Sequence, residues 1–147
     1  QLQPDDAVLD YGCGSGILAI AALKLGANRV IGIDIDANAI QASQENAMIN
    51  HCNPQSILFS TSLNLPIADF FEKQCVDKVV ANILANPLIL LAPLLANAVR
   101  KEGQIALSGV LKEQAAEVCQ CYQQWFDIDI VDQKDDWVLL AGTKYHD

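Results

Sequence analysis

The sequence predicts an α/β domain with a seven-stranded, mostly parallel sheet, helices on both faces and a C-terminal antiparallel hairpin. Three observations carry this expectation. Short apolar runs alternate with helical stretches along the whole chain, and parallel neighbours need such crossover connections. A glycine cluster, Gly12, Gly14 and Gly16, separates the first apolar run from the first helical stretch, as in open α/β sheets that bind ligands at the first βα turn. The last two strands are divided only by Asp132 to Asp136, too short a span for a helix, so they should pair as a hairpin.

Taken in order, Ala7 to Tyr11 forms the first strand and Ile17 to Leu25 a buried helix, with Gly26 as the residue that ends it in a left-handed conformation. Arg29 to Ile33 is the second strand. Asp36 caps a helix from about Ala37 to Asn50, with Ile40, Ala47 and Met48 on one face. Ser56 to Ser60 gives a third strand, Ile67 to Lys73 a short, weakly patterned segment, and Val76 to Ile83 a fourth strand. Asn86 and Pro87 look like the cap and first residue of a helix that reaches about Lys101, is kinked or split by Pro93 and is stopped by Gly103. Gln104 to Val110 is the fifth strand, Lys112 to Trp125 a helix, and Phe126 to Val131 and Trp137 to Gly142 the hairpin.

The length, 147 residues, suits one domain, and an apolar share of 52% against 18% charged supplies its core. Nine basic and 18 acidic side chains give a net charge of -9, which disfavours nucleic acid as a direct partner and favours cationic ligands. Five cysteines with no CxxC pair argue against a disulfide framework or a zinc ribbon and for a reducing cytoplasm. Cys119 and Cys121 cannot share a helix face, so no metal is expected there. The greasiest stretch, Ile83 to Val99, is interrupted by Asn86, Pro87, Pro93 and Asn97 and falls short of a membrane helix. No leader pattern follows Gln1, and a start at Gln suggests a piece of a longer protein.

The glycine turn reads Asp10-Tyr11-Gly12-Cys13-Gly14-Ser15-Gly16. Alternate glycines let the backbone pass close to a bulky ligand, and the following helix start offers unpaired N–H groups. A dinucleotide fingerprint would need a third glycine where Ile17 stands, and a Walker loop would need a lysine that is absent. Asp34 ends the next strand, where a carboxylate can accept bonds from a ribose diol. It could instead cap the next helix, but Asp36 suffices for that and leaves Asp34 free.

The Val8 to Gly16 run resembles the first motif of Rossmann-like, S-adenosylmethionine-dependent methyltransferases. Gly16 to Ala22, Gly32 to Asp36, Val80 to Ala85 and Leu107 to Leu111 sharpen the match. Together they resemble the bacterial ribosomal protein methyltransferases that trimethylate amino groups of the eleventh large-subunit protein. The resemblance implies that Gly12, Gly14 and Gly16 line the methionine part of S-adenosyl-L-methionine. Asp10 would lie near its ammonium, Asp34 at the ribose, Ile35 beside the adenine and Ser62 near the adenine amine. It also implies a catalytic domain over 1–147, with the family's N-terminal substrate-recognition domain and threonine-rich segment absent from this chain, which should then bind the cofactor but, by itself, transfer methyl groups poorly or not at all.

Asn82 is the candidate catalytic residue, because an amide carbonyl can orient an attacking amine by accepting its N–H. Its alternative is to cap the following turn. A lysine or N-terminal amino group of a large-subunit ribosomal protein is the implied acceptor. A methyltransferase for RNA or a small molecule, and a noncatalytic nucleoside-binding module, are the other readings; no membrane partner is expected. His51 and His146 read as surface residues, Cys13 as packing, and Trp125, Phe126 and Trp137 as core.

Overall fold

The computed structural model describes residues 2–61 and 75–145. The segment expected at 67–73, Ser62 and His146 lie outside the described residues. The sheet has the expected seven strands, ordered third, second, first, fourth, fifth, seventh, sixth by their place along the chain, and the chain divides into two compact units, Gln1–Lys78 and Val79–Asp147. No helix among the described residues is long and apolar enough to cross a membrane.

The first unit contains β1 (Ala7–Tyr11), α1 (Ile17–Lys24), β2 (Arg29–Ile33), α2 (Ala37–Ile49) and β3 (Ile57–Ser60). Both pairings are parallel, with Leu9 opposite Ile31 and Ile31 opposite Leu58. Val8, Ala19, Val30, Ile40, Ala47 and Phe59 belong to one buried cluster. Gly26 has φ 116°, and the Ala27 and Gly26 amides donate to the Ala22 and Leu23 carbonyls, which closes α1 as the sequence suggested. The Asp36 carboxylate caps α2 by accepting the Asn38 amide at 2.9 Å.

Met48 departs from its expected place. It is 77% exposed, while Ile40, Ser43 and Ala47 face inward. Eight residues at about 100° each put Met48 roughly 80° around the helix from Ile40, whereas Ala47 is within about 20° of it. His51 closes α2 with φ 57°, donating to the Met48 carbonyl while Cys52 donates to Ala47, and it is exposed as expected.

The fourth strand, β4 (Val76–Asn82), carries the chain into the second unit, which holds α3 (Ala85–Ala98), β5 (Val99–Leu111), a 3-10 turn at Lys112–Gln114, α4 (Ala115–Tyr122), β6 (Phe126–Lys134) and β7 (Trp137–Lys144). The β6 and β7 strands form the antiparallel hairpin, and β7 also pairs antiparallel with β5.

Several details differ from the sequence reading, among them the helix expected over Lys112 to Trp125, which is a 3-10 turn followed by a helix that ends at Tyr122. Leu84, not Asn86, occupies the cap position of α3, so Pro87 falls third in the first turn, where its missing N–H has no intrahelical carbonyl to lose. Pro93 is absorbed within a continuous helix; the Ile89 carbonyl, which its ring leaves without a helical donor, receives the Cys121 thiol at 3.9 Å. α3 ends at Ala98, and Gly103 lies inside β5 rather than stopping a helix; Lys144 Nζ donates at 2.7 Å to both the Ala96 and Val99 carbonyls at that junction.

Candidate functional site

The glycine turn in the first unit is built on left-handed backbone. Gly12, Gly14 and Gly16 have φ of 79°, 56° and 86°. An added Cβ at Gly16 would meet Ser43 atoms at 3.0 to 3.2 Å, so this glycine also lets the turn lie against α2. At Gly14 nothing lies within 4 Å of the Cβ position, which leaves that side of the turn open.

Hydrogen bonds fix the turn from below and from the side. The Gly12 and Cys13 amides donate to the Ile33 carbonyl at 2.7 and 2.9 Å. Two α2 side chains then hold the turn: Ser43 Oγ donates to the Gly14 carbonyl at 2.8 Å, and Asn46 Nδ2 to the Ser15 carbonyl at 2.9 Å. Neither residue was singled out by sequence. The available signal was a polar Ser43 on an inward helix face, where a hydroxyl needs a partner.

Asp34 is not free, contrary to the expectation. Its Oδ2 accepts the Gly14 amide at 2.9 Å and its Oδ1 the Asp36 amide at 3.0 Å. A carboxylate offers about four acceptor positions, so one position on each oxygen is still available to a diol. Asp34 therefore couples the turn to the end of β2 while Asp36 does the capping. Ile35 beside it is 85% exposed.

Asp10 sits beneath this turn in a different state. Four polar residues are buried among those described: Asp6, Asp10, Ser43 and Asp77. Asp6 pairs with Lys78, Asp77 accepts the Ala7 amide and Ser43 donates to Gly14. Asp10, at 0% exposure, has no hydrogen-bond partner on either oxygen. Burial pushes its carboxyl up to about 7; the nearby Ala19 amide offsets part of the rise without closing a hydrogen bond, and the Asp34 charge adds to it. Cys13 is also pushed up by burial, to about 11, with Ser43 partly opposing, so it is a packed thiol and no nucleophile.

In the second unit, Asn82 ends β4 and is exposed. It lines a cavity of about 450 Å³ with Ile83, Leu84, Ser108, Gly109 and Trp137. Because Leu84 holds the α3 cap position without a side-chain bond, the Asn82 amide is not spent on that helix.

The family model of ribosomal protein L11 methyltransferases matches residues 1–145. The chain belongs to the ribosomal protein L11 methyltransferase family. A family protein of Nitrosomonas europaea is 58% identical over 146 residues, 97% of this chain and 47% of its own length. One of Methylobacillus flagellatus is 53% identical over 97% of this chain and 45% of its own. The chain thus spans about half the length of these curated relatives. A crystal structure of a ribosomal protein L11 methylase of Lactobacillus delbrueckii subsp. bulgaricus superposes with a TM-score of 0.86 at 33% identity, covering 99% of this chain and 73% of that one. This likeness matches the Rossmann-like methyltransferase fold implied by the sequence.

The family motifs occupy the two regions described above. Asp10, Gly12, Gly14, Gly16, Asp34 and Ile35 all belong to the turn and the end of β2 in the first unit, and Asn82 with Ser108 and Gly109 to the cavity in the second. Phe126 is core, at 0% exposure and 6.2 Å from the Tyr122 ring centroid. Trp137 is not: it is 49% exposed and lines the Asn82 cavity. Trp125 lines a separate surface groove with Lys144.

Proposed function

We propose that this chain is the catalytic portion of an S-adenosyl-L-methionine-dependent N-methyltransferase that acts on lysine or N-terminal amino groups of ribosomal protein L11. Ribosomal proteins are made in the cytoplasm, and the enzyme works there. The observation that carries the reading is Asp10, a buried carboxylate with no partner beneath a glycine turn whose Gly14 side is open. An anion in such a place calls for a cation, and family membership supplies one, because the methyl donor bears an ammonium and a sulfonium.

The residues present fit that group. Gly12, Gly14 and Gly16 would admit the methionine part against the backbone, and Asp10 would balance its positive charge. Asp34, already oriented by the Gly14 and Asp36 amides, would take the ribose hydroxyls on its remaining lone pairs. Ile35 would cover one face of the adenine. Ser62 remains a candidate for the adenine amine, outside the described residues.

When bound, the donor would supply a methyl carbon activated on sulfur, to which a neutral amine would bond in line as the C–S bond breaks and the thioether leaves. The chain's own task is then alignment and desolvation rather than covalent catalysis. Asn82 Oδ1 would accept an N–H of the amine and aim the nitrogen lone pair. The apolar walls of Ile83, Leu84 and Trp137 would lower the amine's pKa by disfavouring its charged form.

Calorimetric titration of this chain with S-adenosylmethionine and, separately, with NAD tests the reading. Binding of the methyl donor and none of NAD are expected, with transfer of labelled methyl to L11 from this chain alone slow or absent. Absence of heat with the donor would sink the site assignment.

A further inference from the structure

The glycine at position 109 has no role in the reading above. Between the pairs Leu107 with Leu140 and Val110 with Val138, β5 carries one residue more than β7. Ser108 and Gly109 therefore stand opposite Leu139 alone, in a bulge whose two residues line the Asn82 cavity. Gly109 has φ 85°. A Cβ there would lie 2.7 Å from the Ile83 carbonyl oxygen, 3.1 Å from its carbon and 3.2 Å from Asn82 Oδ1. The closest of these is too short for any real contact, and the obstructing atom is backbone, so the turn itself would have to move.

We infer that Gly109 is a positioning residue for methyl transfer: its missing side chain leaves the space in which the Asn82–Ile83 turn holds Asn82 Oδ1. The inference rests on the assignment of Asn82 to the acceptor amine. Asn82 has no cap bond to α3 to hold it, so its place depends on where the backbone at 82–83 runs. Backbone strain at 109 is a separate matter, since any left-handed glycine replaced by alanine suffers it. Gly26 provides the control, with φ 116° and nothing within 4 Å of its Cβ position.

The test compares wild type, Gly109→Ala, Asn82→Ala, the double variant and Gly26→Ala. Single-turnover transfer of labelled methyl to L11 is measured at saturating cofactor, beside cofactor affinity and amide NMR shifts. Gly109→Ala should lower the rate tenfold or more, keep cofactor affinity within twofold and shift the Asn82 to Leu84 signals most. In the Asn82→Ala background the same change should cost less than twofold, because a misplaced amide no longer exists to be misplaced. Gly26→Ala should leave the rate unchanged. A Gly109→Ala rate within twofold of wild type, unmoved Asn82 signals, or full multiplicative losses in the double variant would overturn the inference alone. A wild-type chain that binds no cofactor would overturn the function reading and this inference with it.

Discussion

The glycine turn and the Asn82 cavity solve opposite problems in opposite ways. In the turn, polar groups are tied to one another: Asp34 to two amides, Ser43 and Asn46 to two carbonyls, and Gly12 and Cys13 to Ile33. In the cavity, shape comes from an extra residue in β5, one left-handed glycine and apolar walls. A small ligand that is the same at every turnover rewards a rigid cradle, whereas a protein side chain that enters and leaves rewards a clear space. The contrast predicts that substitutions in the first region act on cofactor affinity and those in the second on the acceptor.

Asp34→Ala should have the largest effect. It removes a charge-assisted acceptor for the ribose and also releases the Gly14 amide, two losses of about 1.5 kcal/mol each or more. Affinity for S-adenosylmethionine should fall about 100-fold by calorimetry. A loss under threefold would mean that the hydrogen-bonded cradle does not set affinity, and the contrast would fail at its strongest point.

Asp10 gives the next largest effect, through pH. Its carboxyl is raised to about 7, so below that value most of the free protein carries a proton there. A cation binds the ionised form, so binding at low pH must expel the proton. Cofactor affinity should therefore rise up to tenfold per pH unit between about pH 5.5 and 6.5 and level off above about 8. Asp10→Asn should bind weakly and lose this slope. The same shift works against the fold of the free protein: a carboxyl that holds its proton more tightly when folded contributes stability below about pH 4 that is lost as pH rises through 7. Asp10→Asn should consequently melt higher than wild type at pH 8 without cofactor. A wild-type affinity independent of pH from 5.5 to 8 would show that Asp10 does not face the cation.

These two residues were legible in the sequence because turn chemistry is local. Asp10 to Gly16 and Asp34 to Asp36 are contiguous patterns, and the strands they end run over the expected residues, 7–11 and 29–33. Ser43 and Asn46 act across 29 and 31 residues of sequence on carbonyls, whose identity leaves no mark on the chain. The start of α3 differs from the sequence reading because proline is tolerated throughout a first turn, so Pro87 marks the neighbourhood and not the position. β5 runs further back than expected because Glu102, with φ 65°, and Gly103 look like a stop yet sit inside the strand. Trp137 reads as core because large aromatics usually are, yet at the start of β7 it is half exposed.

Ser43→Ala probes whether the cradle's rigidity itself matters. The hydroxyl is fully buried, and its loss leaves the Gly14 carbonyl without that donor, a cost of about 1 kcal/mol. Cofactor affinity should drop about fivefold, with the acceptor KM unchanged. An unchanged cofactor affinity would show that the left-handed glycines hold the turn without help from α2.

Trp137→Ala is the smallest effect and the sharpest test of the contrast, because it alters the second region without touching a hydrogen bond of the first. Half of the Trp137 surface is already exposed, so removing the ring should cost less stability than a core truncation, for which about 3 to 5 kcal/mol is usual. Its loss widens the Asn82 cavity and removes an apolar wall. The acceptor KM should rise about threefold, while affinity for S-adenosylmethionine stays within twofold by calorimetry. A matching loss of cofactor affinity would mean that the two regions are not separately tuned, and that the space around Asn82 is part of the cofactor cradle.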